Sequence, residues 1–139
     1  MSHIAKIELE IKDLQCLKEA CKRLGFEFVS DQQTYKWYGS WVGDAALPEG
    51  ISMNQLGKCH HVIRVPGAEY EIGIVRQSGK HLLLWDAWSY GGLEAKIGKD
   101  GGLLKQAYAV ESIKSVARLK NYHLRESKTD QGIRLTMTV

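Results

Sequence analysis

Long apolar runs are missing from this chain: none extends beyond the length of Leu82–Trp85, against the roughly 20 residues that a membrane-spanning helix needs. The start of the chain has no basic-then-apolar segment of the secretory kind, so the expectation is a protein neither secreted nor membrane-spanning. Cysteine is scarce and odd in number, with only Cys16, Cys21 and Cys59. Cys16 and Cys21 lie five residues apart, about 140° around a helix, and cannot bridge within it. Three free thiols in a reducing compartment are the reading. Charge of one sign is also short: 19 basic against 16 acidic residues leave a net +3, and the two signs are interspersed. A nucleic-acid-binding domain carries a clustered basic stripe, so this composition argues against such a partner.

What remains is ordinary globular material. At 139 residues, 44% hydrophobic and 25% charged, the chain supports one core and excludes disorder, so residues 1–139 read as a single domain.

Ile4 to Lys12 alternates Ile7, Leu9 and Ile11 against Lys6, Glu8, Glu10 and Lys12, a strand with one wet face. Asp13 then offers a helix cap, Leu14, Leu17, Cys21 and Leu24 follow at helical spacing, and Gly25 stops the helix. Phe26 to Ser30 returns as a strand, and the aromatic stretch Tyr35 to Val42 is β-prone. Residues 43–57 read as a long connection. Three strands come next, Cys59 to Val65, Glu69 to Gln77 and Lys80 to Trp88, separated by the turns Pro66-Gly67 and Ser78-Gly79. Ser89 to Gly102 holds five glycines and reads as irregular. A second helix follows from Leu103 to about Leu119, its stripe being Leu103, Ala107, Val110, Ile113 and Ala117. A hairpin, Tyr122 to Ser127 and Ile133 to Val139, ends the chain. The fold class is α+β: an antiparallel sheet with two helices on one face, in the order β-α-β-(β)-β-β-β-α-β-β.

Several stretches together resemble a known family. Met1-Ser2-His3 before a strand, Lys12-Asp13-Leu14 with Leu17 and Ala20, Tyr70-Glu71-Ile72-Gly73 running to Arg76, Asp86 followed by aromatics, Gln106-Ala107-Tyr108-Ala109 and Gly132-Ile133-Arg134-Leu135 fall in the order of the plastid and cyanobacterial Ycf thirty-five family. After Asp86 the family usually has paired tryptophans and a glycine, where this chain reads Ala87-Trp88-Ser89-Tyr90-Gly91. The family has no established activity. The resemblance implies a cytoplasmic protein of cyanobacterial type, or one of the plastid stroma, with an AAA-type ATPase as a partner.

The candidate sites differ in how much chemistry they hold. Cys59-His60-His61 offers metal-ligand residue types, but neighbouring strand residues face opposite ways, so only Cys59 and His61 could share an ion, and two ligands do not make a site. Cys59 with His61 or His81 and Asp86 is the one nucleophilic combination. Glu69 and Glu71 read as a solvated strand face, and the pairs Gly91-Gly92 and Gly101-Gly102 as flexible connections without phosphate-loop spacing. The aromatic set Trp37, Tyr38, Trp41, Trp85, Trp88 and Tyr90 is the strongest constellation, because four tryptophans exceed what so small a core requires and such rings anchor interfaces. Half of them are expected in the core. The expectation is therefore a non-enzymatic binding or adaptor protein without a cofactor, meeting a protein partner or a second copy through residues 35–57 and 86–102. The rivals are a small enzyme or ligand-binding domain with a pocket between the aromatics and the glycine-rich segment, and a single-strand nucleic-acid binder using Lys36, Lys58 and Arg64.

Overall fold

Alternation and helical spacing translate directly into the first elements. The computed structural model describes residues 4–39 and 47–139, with Ser89 described by its backbone alone. Strand β1 (Ile4–Ile11) leads into α1 (Leu14–Leu24), whose first turn is capped by the Asp13 carboxyl accepting from the Gln15 amide at 2.8 Å. Gly25, at φ 78°, ends it in the left-handed conformation that glycine tolerates. There follow β2 (Glu27–Ser30), β3 (His61–Arg64), β4 (Ile72–Gln77) and β5 (Lys80–Asp86). Together these make one antiparallel sheet in the order β1-β5-β4-β3-β2.

The glycine-rich segment is more ordered than expected. It winds through a 3₁₀ turn (Ser89–Gly91), the short helix α2 (Leu93–Ile97) and a second 3₁₀ turn (Lys99–Gly101), and it buries Leu93 and Ile97. Those two apolar residues stand four apart, so one helical turn sends both inward. Helix α3 (Gly102–Leu119) then packs beside α1 on the same face of the sheet. Ile7, Ile11, Ile63, Ile72, Ile74, Leu83 and Trp85 meet Leu17, Ala20, Leu104 and Ala107 there. A fully buried Leu17 or Leu104 contributes on the order of 1.5–3 kcal/mol by leaving water.

Two expectations fail on α3 and at Tyr35. The buried stripe is Leu104, Ala107, Tyr108, Val110, Glu111 and Ala117, while Leu103 and Ile113 are exposed. Both stripes have helical spacing. Polar atoms select between them: the Tyr108 hydroxyl accepts from the Lys12 and Asp13 amides at 3.0 and 3.3 Å, and the Glu111 carboxylate receives Arg23 Nε at 3.2 Å. The stretch expected as a strand from Tyr35 is no strand in its described part. Only the preceding Thr34 makes a single bridge, with Lys58, and the chain crosses the open face of the sheet. Tyr35, Ile51 and Cys59 cover Ile4, Val62, Val75 and Leu84 there, forming a second core layer.

The last two strands, β6 (His123–Thr129) and β7 (Gly132–Thr138), stay out of the main sheet and pair only with each other. The Arg23 guanidinium ties this largely exposed hairpin to α1, meeting both Glu126 carboxylate oxygens at 2.6 and 3.0 Å, while Lys114 of α3 adds a contact at 3.1 Å. The hydrogen bond from Arg23 first, then Lys114, holds Glu126 down to about 2. A lowered carboxylate adds stability above its ordinary value of 4.5 and loses it as pH falls towards 2. The pair is partly exposed, so solvent screening limits its worth to about 1 kcal/mol. Amide protection factors in β6 and β7, measured against the intrinsic exchange rate at each pH, are expected to fall between pH 4.5 and 2. Glu126→Gln should show that lower protection already at pH 7, and a variant matching the parent at pH 7 would discount the clamp.

Candidate functional site

Asp86, the last residue of β5, has no exposed surface, and its carboxyl group joins two distant segments. The Trp88 amide donates to Oδ1 at 3.1 Å, closing a turn of the kind that aspartate side chains form with a backbone two residues on. The Tyr38 amide donates to Oδ2, also at 3.1 Å. This brings together rings that lie fifty residues apart in the sequence. Tyr38 meets Trp88 edge-on at 5.2 Å between centroids and 88° between planes, and Trp88 stacks with Tyr90 at 5.2 Å and 29°. Both geometries are favourable for aromatic quadrupoles. Tyr38 is 43% exposed and Tyr90 70%, so the set forms a platform open to solvent.

The turn carrying Tyr90 is held from below. Gly91 receives the Glu69 and Tyr70 amides on its carbonyl at 2.8 and 3.2 Å, and its own amide donates to the Trp88 carbonyl at 2.9 Å. A Cβ on Gly91 would stand 2.1 Å from the Tyr70 ring, so only glycine permits this approach. Burial pushes the Tyr70 phenol up, helped by Asp86, Tyr90, Tyr38 and Glu69 around it. Gly91, expected as part of a flexible connection, is thus fixed against Tyr70, and no local pattern reveals the pair, because the contact joins segments on either side of the β4–β5 hairpin.

The other aromatics divide as follows. Trp85 is core at 3% exposure, and Trp37 packs against the second layer beside Gly57. Trp41 lies outside the described residues, as does His3.

The ligand and nucleophile residue types around Cys59 do not come together as a site among the described residues. Its thiol is buried, donates to the Gln32 carbonyl at 3.2 Å, and is pushed by burial up to about 11, so it stays protonated. His61 accepts the Asp31 amide on Nδ1 at 3.0 Å, and His60 accepts the Arg76 amide on Nδ1 at 3.0 Å. A neutral ring that accepts on Nδ1 carries its proton on Nε2, so both nitrogens are committed and neither ring presents a lone pair to a metal. Among the described residues, no group of three or more His, Cys, Asp or Glu could hold an ion. Asp86 cannot orient His81 either. They stand five residues apart on β5, about 16 Å by strand rise and on opposite faces.

Glu71, expected on a wet face, is buried and accepts from Arg64 Nε at 3.2 Å, the Lys36 amide at 3.0 Å and Gln32 Nε2 at 3.2 Å. Arg64, which also meets Glu27 at 3.7 Å, is thereby engaged and does not flank the platform as a free cation. No described helix is long and apolar enough to cross a membrane. Compared with models of protein families, with curated proteins and with solved structures, the chain matches none.

Proposed function

We propose that this protein is a non-catalytic docking module that binds a protein partner through Tyr38, Trp88 and Tyr90. One observation carries the reading: a carboxyl group wholly removed from water holds the Tyr38 and Trp88 segments together at the surface, with Tyr90 stacked on Trp88, and two of the three rings remain exposed. Core packing gains nothing from a ring 70% in solvent, whereas preorganised tyrosine and tryptophan lose little side-chain entropy on meeting a partner. The resemblance to the Ycf thirty-five family adds a candidate of defined chemistry, an AAA-type ATPase, and a cytoplasmic or stromal setting.

Tyr90 makes the cleanest test because it is the most exposed of the three. Tyr90→Ala is expected to unfold within about 0.5 kcal/mol of the parent, as surface substitutions do, while losing at least tenfold in association. Thermal unfolding beside a pull-down from the native host measures both. A partner retained equally by the parent and by Tyr90→Ala would remove the platform from the function.

A further inference from the structure

At the other end of β5 from the aromatic platform, a cleft of about 870 Å³ opens where α1 begins. It is lined by Lys58, His60, His61, Arg76 and His81, with Asp31 as the one acidic residue. Register explains the gathering. Arg76 and His81 are direct partners on β4 and β5, and His61 pairs with Ile74, two residues along β4 from Arg76. Side chains two apart on a strand share a face, so His61, Arg76 and His81 all point to the side that carries the helices, just beyond the reach of α1.

These groups present hydrogen-bond donors and positive charge. His60 and His61 each have Nδ1 occupied by a backbone amide, which leaves the Nε2–H of each neutral ring as a donor. Among the described residues nothing accepts from those N–H groups, and neither Arg76 nor Lys58 has an ion-pair partner. Burial lowers the His81 pKa, and the nearby Arg76, His61 and His60 lower it further.

We propose that this cleft binds a phosphate-bearing small molecule, with Arg76 and Lys58 meeting its charge and the Nε2–H of His61, on the same face as Arg76, donating to its oxygens. A cation is repelled by the two fixed charges and finds no lone pair on His60 or His61. A planar carboxylate offers two oxygens, whereas a phosphate group offers three and close to two negative charges at pH 7, the better match to an arginine fork, an ammonium and an imidazole donor. The volume falls within the roughly 300–1,000 Å³ of ordinary small-molecule sites, so it has room for more than the phosphate itself.

The test is a titration of the full chain with inorganic pyrophosphate, followed by NMR of the histidine and backbone resonances, with citrate as the carboxylate arm. Saturable shifts are expected at His60, His61, Arg76 and His81, together with a rise in the pH midpoint of His81. Arg76→Gln combined with Lys58→Gln should weaken binding at least tenfold. Both residues are exposed and unpaired among the described residues, and the single variant Lys58→Gln serves should the pair disturb folding. Trp88→Ala should bind pyrophosphate like the parent, which keeps this site separate from the platform. Citrate binding as tightly as pyrophosphate, shifts that map elsewhere, or undiminished affinity in the cleft variants would each overturn the proposal.

Discussion

Asp86→Ala is expected to lower stability by about 2–4 kcal/mol, because two backbone amides lose the acceptor they share and each unsatisfied, largely buried donor costs about 1–3 kcal/mol. The donors are those of Tyr38 and Trp88, both at 3.1 Å from the carboxyl oxygens, so the variant should also loosen the aromatic platform. Asp86→Asn separates the two consequences. Its single side-chain oxygen can keep one of the bonds while its amide nitrogen faces the other N–H, so about half the loss is expected. Denaturant unfolding gives the stability, and near-ultraviolet circular dichroism reports the Tyr38–Trp88–Tyr90 arrangement. If Asp86→Ala unfolds at the parent's midpoint with an unchanged aromatic spectrum, the carboxyl group does not organise the site.

Gly73→Ala is expected to have an effect of similar size for a steric reason. Gly73 sits in the interior strand β4, and a Cβ there would approach three Tyr35 ring carbons at 2.3, 2.6 and 2.9 Å. Tyr35 is 3% exposed and wedged between the sheet and the crossing segment, so it cannot swing away. Overpacking of this kind costs about 1–3 kcal/mol and sometimes more. The second layer of the core would shift with it. A double-mutant cycle is decisive: in a Tyr35→Ala background the same Gly73→Ala change should cost little, since the clashing ring is gone. An equal loss in both backgrounds would show that the glycine is needed for its backbone alone.

The two variants also show why parts of this architecture were legible before the structure and others were not. The wet-faced strand β1, the helix α1 between Asp13 and Gly25, and the hairpins turned at Pro66-Gly67 and Ser78-Gly79 follow from periodicity and turn chemistry, which act over a few residues. So does the α+β class, with α1 and α3 on one face of an antiparallel sheet. Tyr38, Trp88 and Tyr90 were visible as an excess of aromatics in two glycine-bearing segments, and Asp86 stood among them.

Their meeting was not visible. Only the sheet order β1-β5-β4-β3-β2, set by which strands could bury their apolar faces together, brings the end of β5 beside Tyr38. The same holds for the choice between two equally spaced stripes on α3, which Tyr108 and Glu111 decided by reaching donors in the β1–α1 link and on α1 some ninety residues away in the chain. It holds as well for the histidine cleft, where the pairing of Arg76 with His81 gathers residues that the sequence spreads over three strands. Local spacing determines what a segment can become, because helix and strand geometry repeat within a few residues. Which polar atom finds its partner across the fold is decided only when burial forces every donor and acceptor to be matched at once.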